Sequence, residues 1–253
     1  MSTISRDTLV DYLNRRLLVH DMDDFMENGL QVEGTDKVSR VALAVDASLS
    51  VFKKTFSLRC QMLLTHHGLI WGSLKTITGL DKIKIEYLIK KDLNLYSVHL
   101  PLDCHPTLGN NIKLAKLFKL KNLRAFGEYV GTTIGYAGEL DKKISRNALK
   151  EKFESTLHGP VTVLPFGVDR IKTIGFVSGA ASEAIHEAAR RGLDCFCTGE
   201  ARHQDHHLAM ELGLNVMYLG HYHSETLGVK AVGKELEKKF RIKTVFIDEP
   251  TIV

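Results

Sequence analysis

The chain has 253 residues, of which 44% are hydrophobic and 25% are charged, and its net charge at pH 7 is +4. This composition supports a full-sized hydrophobic core and excludes wholesale disorder. The length suits two domains or one large α/β unit. Basic residues are scattered, without an arginine-rich stripe interleaved with aromatic residues, so the sequence does not indicate a nucleic-acid-binding module.

The start of the chain has no apolar segment typical of a signal peptide, and no stretch reaches the roughly 18 apolar residues of a membrane span. The sequence therefore predicts a cytoplasmic protein without a membrane anchor. Four cysteines (Cys60, Cys104, Cys195 and Cys197) lack the spacing of a disulfide framework, and we expect reduced thiols. The alternation around Cys195 and Cys197 favours a buried strand.

Apolar runs and helical spacing alternate along the first half of the chain. The predicted elements are a serine-capped helix over 5–18, strands over 30–32 and 41–45, a helix over 48–58, a strand over 62–65, a helix over 81–91, a strand over 93–98 and a helix over 110–118. Alternating βα units of this length predict a mainly parallel sheet that is covered on both faces by helices.

The pattern changes near residues 121–127. Residues 128–140 are rich in Gly, Thr and Tyr and have no helical period, which indicates antiparallel strands that open a second domain. The later predicted elements are a helix over 145–157, strands over 161–164 and 171–177, a helix over 181–191, a strand over 195–198, a helix over 203–212, a strand that leads to 221, a helix over 225–240 and a strand over 244–247. We expect the last helix and strand to return to the first sheet. The sequence thus predicts one α/β domain over 1–125 plus 226–253 and another over 126–225, with mainly parallel or mixed sheets.

Three of the apolar runs lead directly into histidines, and two of these histidines have a carboxylate four residues later. The side chains are His66 and His67 after the first run, His99 and Asp103 after the second, and His221 and Glu225 after the third. Ligands in open α/β sheets collect just beyond the carboxyl ends of the strands. Because imidazole and carboxylate together are typical donors for divalent cations, the sequence predicts a metal site at these strand ends.

The spacing within these segments favours two metal ions. Adjacent residues in an extended segment point to opposite sides, so we expect His66 and His67 to serve different ions where the chain bends after the strand. His99 and Asp103 are separated by Pro101 and are expected to share a loop. Glu225, at the first turn of the last predicted helix, could bridge two cations through its two oxygens.

A second polar cluster follows the predicted strand over 195–198. His203 and His207 share a face at helical spacing and could form a secondary metal site. The alternative is that this segment forms the rim of the active site, with Glu200 and His203 in hydrogen bonds or in contact with substrate. Asn110 is interpreted as the cap of a helix whose first amides could also receive an anion. The sequence has neither a G-x-x-x-x-G-K-[ST] loop nor a G-x-G-x-x-G after a strand, which disfavours nucleotide binding by those routes.

Five motifs occur in a fixed order along the chain. They are Asn28-Gly-Leu-Gln-Val-Glu-Gly34, Thr65-His-His-Gly68, His99-Leu-Pro-Leu-Asp-Cys-His-Pro106 with Gly109-Asn-Asn111, Thr198-Gly-Glu200 and Gly220-His-Tyr-His-Ser-Glu225. Together they resemble the motifs of the GTP cyclohydrolase type 2-like (NIF-three-like) family of dinuclear metal proteins. The resemblance covers the whole chain and fits the short bacterial form, which lacks a long central insertion.

The resemblance implies two interlocked α/β domains and a toroidal homohexamer, built as a trimer of dimers, with two divalent cations per chain facing an enclosed cavity. Iron, manganese and zinc are the candidate metals. By motif position, the implied metal ligands are His66, His67, Asp103, His221 and Glu225, with Glu225 as the bridge. His99 is implied to be a catalytic pocket residue beside the metals. His223 lies where relatives carry a small residue, so it either alters the site or faces solvent.

The reaction stays open at this point. One hypothesis is a metal-dependent hydrolase, a GTP cyclohydrolase 1 type 2 homologue, that acts on a nucleotide-like or phosphoester substrate through metal-bound water. No G-x-S-x-G elbow and no convincing Cys-His context indicates a nucleophilic side chain. The alternative is a non-catalytic metal-binding, metal-handling or regulatory protein that works through protein partners. Nucleic acid inside a toroid would require a basic lining, which scattered charges do not predict.

Overall fold

The computed structural model describes residues 2–73, 76–129 and 131–252 of the chain. The elements of its first part are β1 (Ile4–Ser5), α1 (Arg6–Leu17), β2 (Gly29–Val32), β3 (Lys37–Val38), β4 (Arg40–Asp46), α2 (Leu49–Ser57), β5 (Met62–His67), α3 (Gly79–Lys90), β6 (Asn94–Ser97), α4 (Leu100–Cys104) and α5 (Asn110–Leu117). Those of its second part are β7 (Lys121–Tyr129), β8 (Thr132–Ser145), α6 (Arg146–Leu157), β9 (Thr162–Pro165), β10 (Arg170–Phe176), α7 (Ala184–Arg190), β11 (Cys195–Thr198), α8 (Asp205–Leu212), β12 (Asn215–Tyr218), α9 (His221–Phe240) and β13 (Lys243–Phe246). The predicted α/β class is confirmed.

The chain divides into two compact units. Unit 1 comprises Met1–Leu102 and Gly228–Glu249, and unit 2 comprises Asp103–Leu227 and Pro250–Val253. The predicted domain boundary lay near residue 125, whereas the segment 103–125 groups with unit 2. A physical reason is the contact of α5 with β8, where the Asn111 side chain donates a hydrogen bond to the Ile134 carbonyl at 2.9 Å. The predicted ranges as independent folding domains stay a prediction.

Unit 1 is built on a five-stranded sheet with the order β13-β4-β5-β6-β2. The first four of these strands are parallel, and β2 pairs antiparallel with β6. The predicted return of the last strand to the first sheet is therefore confirmed. Strands β4 and β5 are almost wholly buried, which explains why they appear in the sequence as continuous apolar runs. The carboxyl ends of β4, β5 and β6 share one edge of the sheet.

Unit 2 is built on a six-stranded sheet with the order β7-β8-β10-β11-β12-β9. Its central strands β10, β11 and β12 are parallel, and the outer pairings are antiparallel. The predicted antiparallel strands over 128–140 correspond to β7 and β8. The predicted buried strand at Cys195 and Cys197 is also confirmed, since both thiols are fully buried on one face of β11 and Phe196 is buried in the core on the other.

Several helix boundaries follow directly from side-chain capping. Ser5 and Ser48 are the N-caps of α1 and α2, and their hydroxyl oxygens accept hydrogen bonds from backbone amides three residues later. The expected asparagine cap of α5 is wrong: its N-cap is Gly109, and Asn110 lies inside the helix with its side chain buried. Among the described residues, no helix is long and apolar enough to cross a membrane.

Candidate metal centre

Unit 1 brings three histidines together at the carboxyl edge of its sheet. His66 and His67 are the last residues of β5, and His99 follows β6. Each offers a ring nitrogen, and these nitrogens all lie within 4.8 Å of one another. The ring centroids of His66 and His99 are 5.1 Å apart. This spacing is compatible with a shared divalent cation.

The first two histidines are held in one tautomer by their partners in unit 1. The Nδ1 atom of His66 is 2.9 Å from the Val98 carbonyl oxygen, and that of His67 is 2.8 Å from Asp46 Oδ1. Both partners accept a hydrogen bond, so Nδ1 is the donor, and in the neutral ring this leaves the lone pair on Nε2. This arrangement of an outer acceptor, an imidazole and an inner nitrogen is typical of histidines that bind metals.

His99 is held in the same way by a buried carboxylate. Its Nδ1 donates to both oxygens of Asp24, at 3.0 and 3.1 Å. Asp24 also accepts hydrogen bonds from the backbone amides of Met26 and Leu100 and from the side-chain amide of Asn28. Burial alone would raise the pKa of Asp24, but the hydrogen bonds and the charge of His99 outweigh it and lower the pKa to about 2. Asp24 is therefore an ionised carboxylate that fixes the orientation of His99.

Strand β5 is longer than predicted. It was expected to end at Thr65, yet it continues through both histidines, and Asp46 of β4 pairs with His67. Pairing with β6 stops at Thr65 and Ser97. Adjacent residues of an extended segment were expected to point to opposite sides. The two imidazole centroids are nevertheless only 4.8 Å apart.

An indole forms one side of the histidine group. Trp71 has its ring centroid 5.1 Å from that of His99 and 6.0 Å from that of His67. Its Nε1 donates to the Gly68 carbonyl at 3.0 Å, which fixes the ring. Because 38% of Trp71 is exposed, it presents an aromatic surface beside the imidazoles.

Unit 2 contains a second donor set, centred on Glu225. His221 and Glu225 lie one turn apart on α9, with His221 Nε2 at 3.2 Å from Glu225 Oε2. The last helix was predicted to begin at Glu225, but it begins at His221, so the two side chains share a helix face. An oxygen of Asp103 also lies within 4.8 Å of one of Glu225. Both carboxylates are almost fully buried.

Asp103 is positioned by neutral donors. Its Oδ1 accepts hydrogen bonds from Asn110 Nδ2 at 2.8 Å and from Ser178 Oγ at 2.9 Å. The expected loop around Asp103 is instead the short helix α4, which contains Pro101. Proline is tolerated in the first turn of a helix because the amides there have no intrahelical acceptor.

A glycine gives the Glu225 carboxylate its space. Gly179 follows β10 with a φ angle of +67°, and a Cβ atom there would lie 2.5 Å from Glu225 Oε1. The amide of Gly179 donates to the Ser224 hydroxyl at 3.1 Å, next to Glu225 in sequence. Only glycine satisfies both the backbone conformation and the close approach.

The electrostatics of unit 2 favour a cation. Burial lowers the pKa of His221, but hydrogen bonds and charges from Glu225 and Glu200 outweigh this and raise the pKa to about 9. The Nδ1 of His221 donates to Glu200 Oε2 at 3.0 Å, which directs Nε2 toward Glu225. Burying two carboxylates is costly unless positive charge compensates them. A proton on His221 provides part of the compensation, and a divalent cation would provide more.

The predicted secondary cluster divides in two. Glu200 accepts a hydrogen bond from His221, and its position at the rim of an active site stays a prediction. His203 and His207 are exposed, and no metal-compatible group among the described residues includes either of them. His223 is partly buried and packs against Gly159 and Gly220, where an added Cβ would lie 2.7 Å from its ring.

Sequence reasoning missed the residues that position these donors. Asp46 stood at the end of a predicted strand and could have been noticed for that reason. Asn110 and Ser178 look like ordinary helix-start and loop residues, and Asp24 lies 75 residues from the histidine that it orients. Such contacts depend on the tertiary fold and leave no local pattern.

Comparison with known proteins adds an independent line of evidence. A family model described as Duf34/NIF3 (NGG1p interacting factor 3) matches residues 4–251. A Pyrococcus horikoshii relative named GTP cyclohydrolase 1 type 2 homolog is 43% identical over 98% of this chain and 99% of its own. An Archaeoglobus fulgidus relative of the same name is 41% identical over 96% of this chain and 97% of its own.

Two solved structures also match this chain over almost its whole length. The protein ybgI, described as being of unknown function, matches with a TM-score of 0.93 at 30% identity. A protein from Thermus thermophilus matches with a TM-score of 0.89 at 36% identity. Each match covers 99% of this chain and 100% of the other.

Proposed function

Because the chain belongs to the Duf34/NIF3 family, we propose that it is a dinuclear divalent-metal-binding protein. The proposed ligands are His66, His67, Asp103, His221 and Glu225, with Glu225 as the bridging carboxylate. The observation that carries this proposal is that the proposed ligands are already oriented or buried in a way that suits a cation. Every histidine in the set has its Nδ1 held by an acceptor, and both carboxylates are almost fully buried.

We further propose that the protein is a metal-dependent hydrolase of a nucleotide-like or phosphoester substrate. When bound, a pair of divalent cations supplies Lewis acidity, which polarises a phosphoryl or carbonyl oxygen and lowers the pKa of a coordinated water. His99, oriented by Asp24, would hold or move a proton at its Nε2. The names of the curated relatives support a nucleotide as the first substrate to test.

The decisive experiment combines metal analysis with a search for turnover. Chain prepared without chelator should contain close to two equivalents of iron, manganese or zinc. The loaded protein is then tested against GTP, other nucleotides and phosphoesters, with a chelator-treated sample as the control. Less than half an equivalent after adding Mn²⁺, Fe²⁺ or Zn²⁺ would contradict the metal proposal. Two equivalents without any turnover would favour the alternative, a non-catalytic metal-binding protein that works through protein partners.

The assembly is a separate proposal that rests on family membership. We propose a homohexamer arranged as a trimer of dimers. Light scattering at micromolar concentration should give six times the chain mass of 28.3 kDa. A particle with the mass of one chain would show that this proposal is wrong.

A further inference from the structure

Unit 2 contains a cavity in which Glu200 is the only described lining residue with a role in the proposed metal centre. Its volume is about 580 Å³, and it opens near the carboxyl ends of β11 and β12. Its polar and aromatic side chains are Thr162, Glu200, Tyr218, His223 and Thr251. Small-molecule sites commonly have volumes of about 300–1,000 Å³, so this cavity is large enough for a ring system.

One wall of the cavity is a fixed aromatic ring. Tyr218 is buried, and its hydroxyl donates to Asp205 Oδ2 at 2.9 Å. Asp205 is itself buried and accepts further hydrogen bonds from the Ser182 hydroxyl and the Arg202 amide. Because the hydroxyl is engaged in this network, Tyr218 contributes the carbon surface of its ring to the cavity.

A second ring is held by two glycines. A Cβ atom at Gly159 or at Gly220 would lie 2.7 Å from the nearest atoms of the His223 ring. Gly220 also has a φ angle of +83°, a conformation that disfavours other residues. The imidazole of His223 therefore packs on bare backbone as a wall of the cavity.

The charge of the cavity restricts what it can bind. Among the described residues that line it, Glu200 is the only carboxylate, and none is a lysine or an arginine. Oε2 of Glu200 accepts from His221, whereas Oε1 has no hydrogen-bond partner in the described part of the chain. A single carboxylate beside aromatic surfaces, with no cationic side chain near it, favours a planar ring with N–H groups and disfavours a phosphate.

From this geometry we propose that the cavity binds the planar, N–H-bearing heteroaromatic ring of a ligand, with Glu200 as the acceptor and Tyr218 and His223 as the walls. The inference deepens the proposed function and rests on it in one respect: the ring would belong to the molecule that the metal-binding residues process. Glu200 connects the two because its other oxygen orients His221.

The test measures ring binding to the full chain by isothermal titration calorimetry, with two benzimidazoles of the same shape. The probe is 2-aminobenzimidazole, and the control is 2-methylbenzimidazole, which lacks the amino donor. Wild-type protein should prefer the amino compound by about tenfold, and Glu200→Gln should reduce this preference to about twofold, since a charge-assisted hydrogen bond is lost. Equal binding of the two compounds to the wild type, or an unchanged preference in Glu200→Gln, would overturn the inference.

A pair of alanine variants tests the location. Ala201 lines the cavity, whereas Ala125 is exposed on β7 of the same unit. Ala201→Trp should fill the cavity and weaken probe binding at least tenfold, and Ala125→Trp should leave it unchanged. Equal binding to Ala201→Trp and to wild type would place the probe elsewhere and overturn the inference.

The same samples separate this inference from the proposed function. Binding is measured on chelator-treated protein and again after loading with Mn²⁺, and the metal content of each sample is determined. Selective ring binding without metal uptake would support the cavity and contradict the metal proposal. Metal uptake with no selective ring binding would support the metal proposal and overturn the inference about the cavity.

Discussion

The two donor sets differ in how their side chains are prepared for a metal. In unit 1 the donors are imidazoles, and each is oriented by an acceptor on the outer side of its ring. In unit 2 the donors include two buried carboxylates: neutral donors position Asp103, and Glu225 lies against His221 and the backbone of Gly179. Outer acceptors orient histidines in both units, but buried carboxylate donors occur only in the donor set of unit 2. Removing charge should therefore have a larger effect on metal binding than disturbing orientation.

The largest effect is expected for Glu225→Gln. This change removes the buried charge that is proposed to bridge two cations, so metal content should fall from about two equivalents to less than half an equivalent. Metal content after dialysis against Mn²⁺ or Zn²⁺ is the measurement. Glu235→Gln, on the same helix, removes a carboxylate that bonds Arg16 and Tyr12 and should retain the metals. Cys104→Ala is a second control, and equal loss in all three variants would refute the assignment.

The next largest effect concerns rate rather than binding. His99→Ala should keep both metals and lower turnover by about 10²–10⁴-fold, as expected for removal of a general acid or base. Asp24→Asn should give a smaller loss of rate with the same metal content, because His99 stays but its orientation is weakened. Loss of metal from His99→Ala would show that this histidine is itself a ligand. The test is informative because a ring nitrogen of His99 lies within 4.8 Å of those of His66 and His67.

The contrast between the two sets also shows what the sequence can predict. Apolar runs of buried parallel strands identified β4, β5, β6, β11 and β12, since burial on both faces leaves a continuous pattern. The same runs indicated the candidate donors, because these residues stand at or just after strand ends. The start of α9 was misplaced because the Gly220-His221 segment has no apolar periodicity. Asp24 and Gly179 could not be found, since their roles arise only when distant segments meet.

Disturbing orientation in unit 1 should have an intermediate effect on affinity. Asp46→Asn replaces the carboxylate that accepts from His67 Nδ1 and should weaken metal binding by about 10–100-fold. Asp141→Asn, at an exposed ion pair with Lys121, is the matched control and should change nothing measurable. Competition titrations with a chromogenic chelator give the affinities. If Asp46→Asn matched the control, the outer acceptor would have no role in metal binding.

The pH dependence of metal binding should come from unit 2. Since the pKa of His221 is raised to about 9, a metal must displace a proton at any lower pH. Apparent affinity should therefore rise by up to about tenfold per pH unit and level off above pH 9. For the metal-free fold the sign is opposite: the raised pKa contributes stability that is present below pH 6.5 and is lost as pH rises through 9. Glu200→Gln should shift the plateau to lower pH, and an unshifted plateau would exclude Glu200 as a cause.

The smallest effect is expected for alanine substitutions at two glycines with a positive φ angle. Comparing them distinguishes the cost of the backbone conformation from the cost of a contact with the Glu225 carboxylate. Gly179 and Gly192 have φ angles of +67° and +65°, but only Gly179 lies against Glu225, whereas a Cβ at Gly192 would meet nothing within 4 Å. Gly192→Ala should therefore cost only the conformational strain of about 1–2 kcal/mol in the free energy of unfolding, and its metal affinity should not change. Gly179→Ala should cost more and should also weaken metal binding, because the new methyl group displaces the carboxylate. Urea denaturation of metal-free protein and metal titration measure the two quantities. Equal stability and equal affinity in the two variants would mean that Gly179 serves the turn alone and does not shape the site around Glu225.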